Sequence, residues 1–310
     1  MKKALFYGIT SSLFFAFTFI LNSSMNLSGG NWMWSSSLRY IFMLPMLYLI
    51  VSKQKGIKKV IDSIKSAPMQ WLLWSIIGFG LFYAPLTFAS TYGASWLVAG
   101  CWQITIIAGI LLTPLFNGKL PIKNLLLSCI ILAGVFIIQY EQATNTDISI
   151  VLLSIIPILI AAFAYPLGNR KMMIVCKDKL STTERIFGMT LCSLPFWIII
   201  SICAYASSGF PSISQVSQSI TVAIFSGVIA TILFFKATEI VKNNSNELAV
   251  IEATQSGEVL FTIIGEVIIL NGALPSLLGF LGLALIIIGM ILNSLNASFT
   301  KTKIKSSTTK

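Results

Sequence analysis

Four ionisable side chains stand inside stretches otherwise apolar enough for a lipid bilayer: Arg39, Glu252, Glu258 and Glu266. A charge at the bilayer centre costs at least ~3 kcal/mol on insertion scales, so each must face protein or water. A carboxyl group held at that depth can exchange a proton for a cationic or amine-bearing solute. Three of the four fall in one run, residues 245–270. At the helical turn of about 100° per residue, Glu252, Glu266, Gln255, Thr262 and Glu258 share one arc of about 120°. Leu260, Phe261, Ile263, Ile264 and Val267 lie outside that arc, while Val259 and Ile269 fall within it. The run reads as one mixed but largely polar wall of a wet cleft.

Depth separates the acids. Glu258 falls midway along its run, near the midplane, and is predicted to be the proton and solute switch. Glu252, nearer the start of the run, reads equally as a proton relay or as a residue of the mouth. Arg39, in the run 32–52, shares a leaflet with Glu266, which predicts an Arg39–Glu266 pair acting as a gate or a structural brace. Trp102, Gln103 and Thr105, in the run 93–115, lie at comparable depth with Tyr83 of the run 69–90. Such residues can stack on and hydrogen-bond a flat or cationic solute; plain core packing is the equal alternative for Trp102 and Tyr83. Gln255, Thr262 and Asn22 are counted with the predicted lining. Trp32, Trp34, Trp71 and Trp74 stand at span ends, where aromatic belts suffice as an explanation.

The elements that must position these residues follow from composition. Of 310 residues, 56% are apolar and only 10% charged, against roughly 45–50% and 25% in soluble domains. The mean hydropathy of +0.87 excludes a water-soluble globule, and disorder would need far more charge. Apolar runs of about the bilayer-spanning length cover 4–21, 32–52, 69–90, 93–115, 122–140, 148–168, 184–205, 216–238, 245–270 and 274–295. The first has no Ala-x-Ala cleavage site and reads as an uncleaved span. All but one of the 21 basic residues, Arg39, fall at the amino terminus, in alternate loops or in the tail. By the positive-inside rule that side is the cytoplasm, so both termini lie inside and the net charge of +11 reports topology rather than nucleic-acid binding.

The chain also repeats itself. Asn22-x-x-Met25 returns as Asn169-x-x-Met172, Leu44-Pro45 as Leu194-Pro195, and Asn117-Gly118-Lys119-Leu120-Pro121 as Asn271-Gly272-Ala273-Leu274-Pro275. The three matches come in order, each about 150 residues after its counterpart, as in a tandem duplication. With five spans per copy, the second copy enters the membrane inverted. This predicts an all-α membrane protein of ten helices as two inverted five-helix repeats around a central cavity. The copies are 1–141 and 142–297, with a basic tail over 298–310 expected to be disordered. Inverted repeats with a midplane site are typical of secondary transporters. Prolines 45, 85, 114, 157, 166 and 195 lie within spans and predict kinks.

Absences narrow the chemistry. There is no histidine, which removes the commonest metal ligand and general base. Cysteines 101, 129, 176, 192 and 203 show no Cys-x-x-Cys spacing and read as small hydrophobes. No Walker loop, dinucleotide fingerprint or nucleophile elbow occurs. Neither an enzyme nor an ATP-driven pump is expected, and no cofactor or metal.

Several stretches resemble the drug/metabolite transporter superfamily, EamA-like group, and more narrowly its multidrug resistance efflux branch. They are Phe14–Phe19 with Asn22, Ser37-Leu38-Arg39-Tyr40, Trp96-Leu97-Val98-Ala99, Trp102-Gln103-Ile104-Thr105, Gln255-Ser256-Gly257-Glu258 and Gly282–Gly289. The resemblance implies a ten-helix bundle around a cavity, exporting drugs or metabolites from a bacterial plasma membrane. Two features depart from it. The first span carries no acid, where the small four-helix relatives place their essential glutamate, and the loop after span four has Asn117-Gly118 rather than Gly-Glu.

Three functions follow as expectations. The first is a proton- or gradient-coupled exporter of small lipophilic or amine-containing solutes by alternating access. The second exports or exchanges amino acids, purines or nucleotide-linked sugars, with Arg39 holding a carboxylate or phosphate. The third is a non-transporting scaffold or lipid-modifying enzyme. Expected partners are a small solute, protons or another coupling ion, and lipid, with the chain a monomer or weak homodimer.

Overall fold

The structure, a computed structural model, describes residues 1–116, 120, 122–145, 147–176, 179–241, 250–251 and 254–307. Every regular element among them is helical. In chain order they are α1 (Lys2–Leu27), α2 (Trp32–Lys53), α3 (Ile57–Ser66), α4 (Pro68–Ser75), α5 (Leu81–Ala89), α6 (Ser95–Trp102) and α7 (Ile104–Leu111). Then follow α8 (Ile122–Asn145), α9 (Ile148–Cys176), α10 (Thr182–Ser208), α11 (Ile213–Val222), α12 (Thr231–Val241), α13 (Gly257–Leu270) and α14 (Leu277–Ser307). Helices dominate because apolar backbone in lipid must satisfy its own hydrogen bonds.

Among the described residues, seven helices are long and apolar enough to cross a membrane, with shorter apolar helices at Ser95–Leu111 and Leu277–Asn293. This is a multi-pass membrane protein. Part of the run 245–270 lies outside the described residues, so the ten expected spans are matched only in part.

Several spans are not simple rods. A π-helical stretch, Ile76–Gly80, joins α4 to α5, and a second, Ala223–Ala230, joins α11 to α12. In the first, Pro85 lacks the N–H that would bond the Leu81 carbonyl, so regular α geometry is already compromised nearby. In the second, the Thr231 hydroxyl donates to the Ser226 carbonyl at 3.4 Å. The run 93–115 breaks at Gln103 between α6 and α7, and a short 3-10 turn, Thr254–Ser256, precedes α13. The single polar arc expected over 245–270 is therefore cut. Only Glu258, Thr262 and Glu266 keep that relation, one turn apart on α13.

Ends are held by side chains. Asn31 caps α2 by accepting from the Met33 N–H at 2.8 Å. Ser181 and Glu184 form a capping box on α10, each side chain accepting from the other's backbone N–H.

Packing is close where residues are small. The backbones of α8 and α14 run together, and a methyl on Gly134 would lie 2.4 Å from the Gly282 carbonyl oxygen. The same two helices are joined by amides. Asn124 donates to the Asn293 side-chain oxygen at 2.7 Å, and Asn293 donates to Ser128 at 2.6 Å and to the Asn124 carbonyl at 3.1 Å. Further close pairs include α2 with α10 and α11, α9 with α4 and α5, α9 with α6 and α7, α13 with α6, and α1 with α11, α12 and α13. Trp71 does not stand in an interfacial belt. It is fully buried, its ring seated on Gly188, where a Cβ would meet it at 2.6 Å.

Candidate functional site

A cavity of about 540 Å³ opens between the helices, a volume suited to a drug-sized solute. Its apolar walls are aromatic. Trp102 of α6 packs against Phe82 of α5 and Tyr165 of α9, at centroid distances of 5.0 and 5.7 Å. Tyr40 of α2 stacks on the fully buried Trp197 of α10 at 4.6 Å, which fixes its ring against the cavity.

Two charges face into this cavity from different helices. Glu258 is 9% exposed and occupies the first turn of α13. There the free N–H groups of a helix start favour a negative charge. The Gln103 side chain lines the same cavity beside it. Gln103 itself sits at the break between α6 and α7, its amide donating to the Ala99 carbonyl at 3.1 Å. Two interrupted helices thus meet at one carboxyl group.

Arg39 of α2 is 7% exposed. Its guanidinium donates to the Thr18 hydroxyl of α1 at 3.3 Å and to the Ser226 hydroxyl at 3.1 Å. The two hydroxyls also bond each other. The guanidinium carbon lies 4.1 Å from the centre of the Tyr83 ring and 5.8 Å from that of Tyr40. Its Nε is buried without a partner.

Of the predicted lining, Gln255, Trp102, Gln103 and Thr105 border the cavity together with Arg39 and Glu258. Gln255, on the 3-10 turn, donates to the Ser11 hydroxyl of α1 at 3.2 Å. Thr105 donates to the Ala162 carbonyl of α9 at 3.2 Å. Three predicted residues lie elsewhere. Tyr83 is sealed behind Arg39, and Asn22 is bonded to it, amide to phenol and phenol to amide, at 3.1 and 3.3 Å. Thr262 is fully buried because its hydroxyl turns back to the Glu258 carbonyl at 2.7 Å. Glu252 lies outside the described residues.

The structure does not bring Arg39 and Glu266 together. Glu266 is carried two turns along α13 from Glu258, over the start of α6. There its carboxylate accepts from the Ser95 N–H at 3.0 Å and from the Ser95 hydroxyl. The first N–H groups of a helix have no partner within it, and an acid satisfies them well. Glu266, 6% exposed, borders a separate cavity of about 460 Å³ with Ser23, Asn26, Thr91 and Glu141. Glu266→Ala is expected to lower stability by about 2 kcal/mol, the scale of hydrogen bonds to a charged group. Thermal unfolding in detergent measures this, and an unchanged midpoint would remove the capping role.

Sequence reasoning missed Thr18, Tyr40, Phe82, Tyr165, Ser226, Asn124 and Asn293, all of which border the larger cavity. Tyr165 stands directly before Pro166, a kink signal that marks a helix facing a cavity. Ser226 and Thr18 carry no such signal.

The family model described as "Putative multidrug resistance efflux transporter" (EmrE) matches residues 2–298. The chain is similar to the uncharacterized protein YjlA of Bacillus subtilis (strain 168), at 49% identity over 316 residues and 98% of both chains. It is also similar to an uncharacterized 42.1 kDa protein of Shouchella clausii, at 44% identity over 268 residues, 83% of this chain and 70% of the relative. The cavity, its charged walls and this match identify the chain as a member of the EmrE-like multidrug resistance efflux transporter family within the drug/metabolite transporter superfamily.

Proposed function

We propose that the protein is a proton-coupled secondary exporter of small lipophilic or amine-containing solutes, working by alternating access. The observation that carries this reading is Glu258, a buried carboxyl group on the wall of an aromatic cavity of about 540 Å³. Transporters commonly build solute and ion sites where interrupted helices meet inside the membrane. Glu258 holds either a proton or the cationic end of a cargo, but not both, so loading one releases the other. Glu252 serves as the proton relay, and the aromatic walls take the cargo's apolar part.

The same reading takes the chain as two inverted copies of five helices. Let α1 exchange with α9, α2 with α10, α4–α5 with α11–α12, α6–α7 with α13, and α8 with α14. The packing of α1 on α11 and α12 then answers that of α9 on α4 and α5, and α1 on α13 answers α9 on α6 and α7. The pairs α2–α10 and α8–α14 map onto themselves. The two π-helical stretches fall at equivalent places, and so do the breaks at Gln103 and Thr254–Ser256. This correspondence supports ten spans; the reading further takes both termini as cytoplasmic, from the placement of the basic residues, in a bacterial plasma membrane, with the chain a monomer or weak homodimer.

Purified protein in vesicles, under an imposed proton gradient and with a fluorescent lipophilic amine as probe, tests the proposal. Gradient-driven movement of the amine, absent from protein-free vesicles, is the expected result. Fully reconstituted protein that moves no amine under any gradient would leave a static membrane scaffold instead.

A further inference from the structure

The link between α2 and α4 is a helix with two unlike faces. At about 100° per residue, Ile57, Val60, Ile61 and Ile64 of α3 share an arc of about 100°. Lys58, Lys59, Asp62 and Lys65 occupy the other side. The apolar face is docked. Val60 is buried completely, and a Cβ on Gly188 of α10 would meet both Val60, at 3.1 Å, and the Trp71 ring of α4. Ile57 and Ile64 pack on the same core. At the start of the helix, Gly56 lies against the Glu184 carboxylate that closes the capping box of α10. Bound in this way, α3 holds its lysines on one fixed face.

Its neighbours set its depth. Tyr48 and Leu49 are exposed on α2 about one turn before that helix ends, and Met69 and Leu73 are exposed on α4 from its first turn. Large exposed apolar side chains on a membrane span belong in hydrocarbon. The bilayer core therefore reaches close to both ends of α3, which lies at headgroup level. Lys53, Lys55, Lys58, Lys59 and Lys65 are all exposed there, against one acid, Asp62, between residues 53 and 66. Lys55 follows α2 with φ 55°, a left-handed conformation that glycine normally takes. A lysine is kept there although the conformation opposes it. Topology asks only that the loop be basic; it asks for neither a docked helix nor a lysine in a left-handed turn. A lysine cluster of this kind, on a helix beside a span, matches the charge of an anionic lipid surface.

We propose that α3 and the turn before it form a docking surface for an anionic phospholipid, whose phosphate meets the lysine ammonium groups while its chains stay in the adjoining hydrocarbon. Such binding goes beyond the exporter reading and needs no solute movement.

Native mass spectrometry of the full chain, released from bilayer discs holding equal amounts of phosphatidylglycerol and phosphatidylcholine, measures which lipid stays bound. The unaltered protein is expected to retain phosphatidylglycerol about tenfold more often, the scale of one charge-assisted contact to a phosphate. Lys58→Gln, Lys59→Gln and Lys65→Gln combined should bring the ratio near one, while arginine at the same three positions should keep it. Lys301→Gln, Lys303→Gln and Lys305→Gln combined, which remove as much charge from the tail, should leave it unchanged. All three α3 lysines are exposed, so these variants should fold, and thermal midpoints verify it. A ratio near one in the unaltered protein, or an equal fall in the tail variant, would overturn the inference. Glycerol phosphate, the headgroup anion without acyl chains, should not displace the retained lipid. Ready displacement would assign the surface to a soluble anion and overturn the lipid reading. None of these outcomes involves transport, so vesicle flux judges the exporter reading separately.

Discussion

Glu258→Gln is expected to reduce proton-driven efflux to the leak rate, a loss of about two orders of magnitude, while the protein stays folded. Glutamine keeps the size of the side chain and its polar end beside Gln103, so the meeting point of α7 and α13 is preserved. What disappears is the group that can be either protonated or charged. Losing a charge-assisted contact of about 1.5–3 kcal/mol corresponds to roughly ten- to a hundredfold in affinity, and loss of the exchangeable proton removes the coupling as well. Glu258→Asp, which keeps the titrating group, should recover part of the flux. Flux in reconstituted vesicles at two pH values, with thermal unfolding to verify folding, is the measurement. Undiminished, pH-dependent flux in the glutamine variant would take Glu258 out of the mechanism.

The second large effect concerns packing. A methyl placed on Gly168 of α9 would lie 2.3 Å from the Gly78 Cα and 2.4 Å from its backbone nitrogen. These are main-chain atoms in the π-helical stretch between α4 and α5, so no rotamer change makes room. Overpacking commonly costs 1–3 kcal/mol and more where backbone must move, so Gly168→Ala should destabilise by about 3 kcal/mol. Gly109→Ala supplies the control. Its new methyl would first meet the end of the flexible Arg170 side chain, at 3.5 Å. Alanine is also the better helix former by about 1 kcal/mol, so this change should be neutral or mildly stabilising. Thermal midpoints of the two variants in one detergent compare them directly, and equal midpoints would refute the close contact.

The sequence carried the membrane architecture because bilayer solvation acts on whole runs of residues, and a run is visible without knowing what it faces. It also marked Arg39, Glu258, Trp102, Gln103, Thr105 and Gln255, since polar or wide side chains at mid-depth must find a cavity or a partner. The Arg39–Glu266 pairing was out of reach for a definite reason. Depth is one coordinate, and the partner of Glu266 is fixed by the other two, which place α13 over the start of α6. Tyr83 and Asn22 failed in the same way: at the right level, but turned toward each other. The break at Thr254–Ser256 contains neither glycine nor proline. Its stability comes from neighbours, such as the Ser11 hydroxyl that holds Gln255. Serine and threonine are common in membrane helices and usually bond their own backbone, so Thr18 and Ser226 looked ordinary until the guanidinium they hold was in view.

The two π-helical stretches have a genealogical consequence. A wide turn of this kind holds one residue more than an α turn, so each behaves as a single-residue insertion absorbed without unwinding the span. Relatives descended from a chain without it should be one residue shorter within 76–80 or 223–230, with the side chains on either side of the missing turn keeping the faces they have here. In such a lineage the residue that corresponds to Tyr83 would still lie against the arginine, so length differences at these two places would date the insertions without disturbing the cavity beyond them.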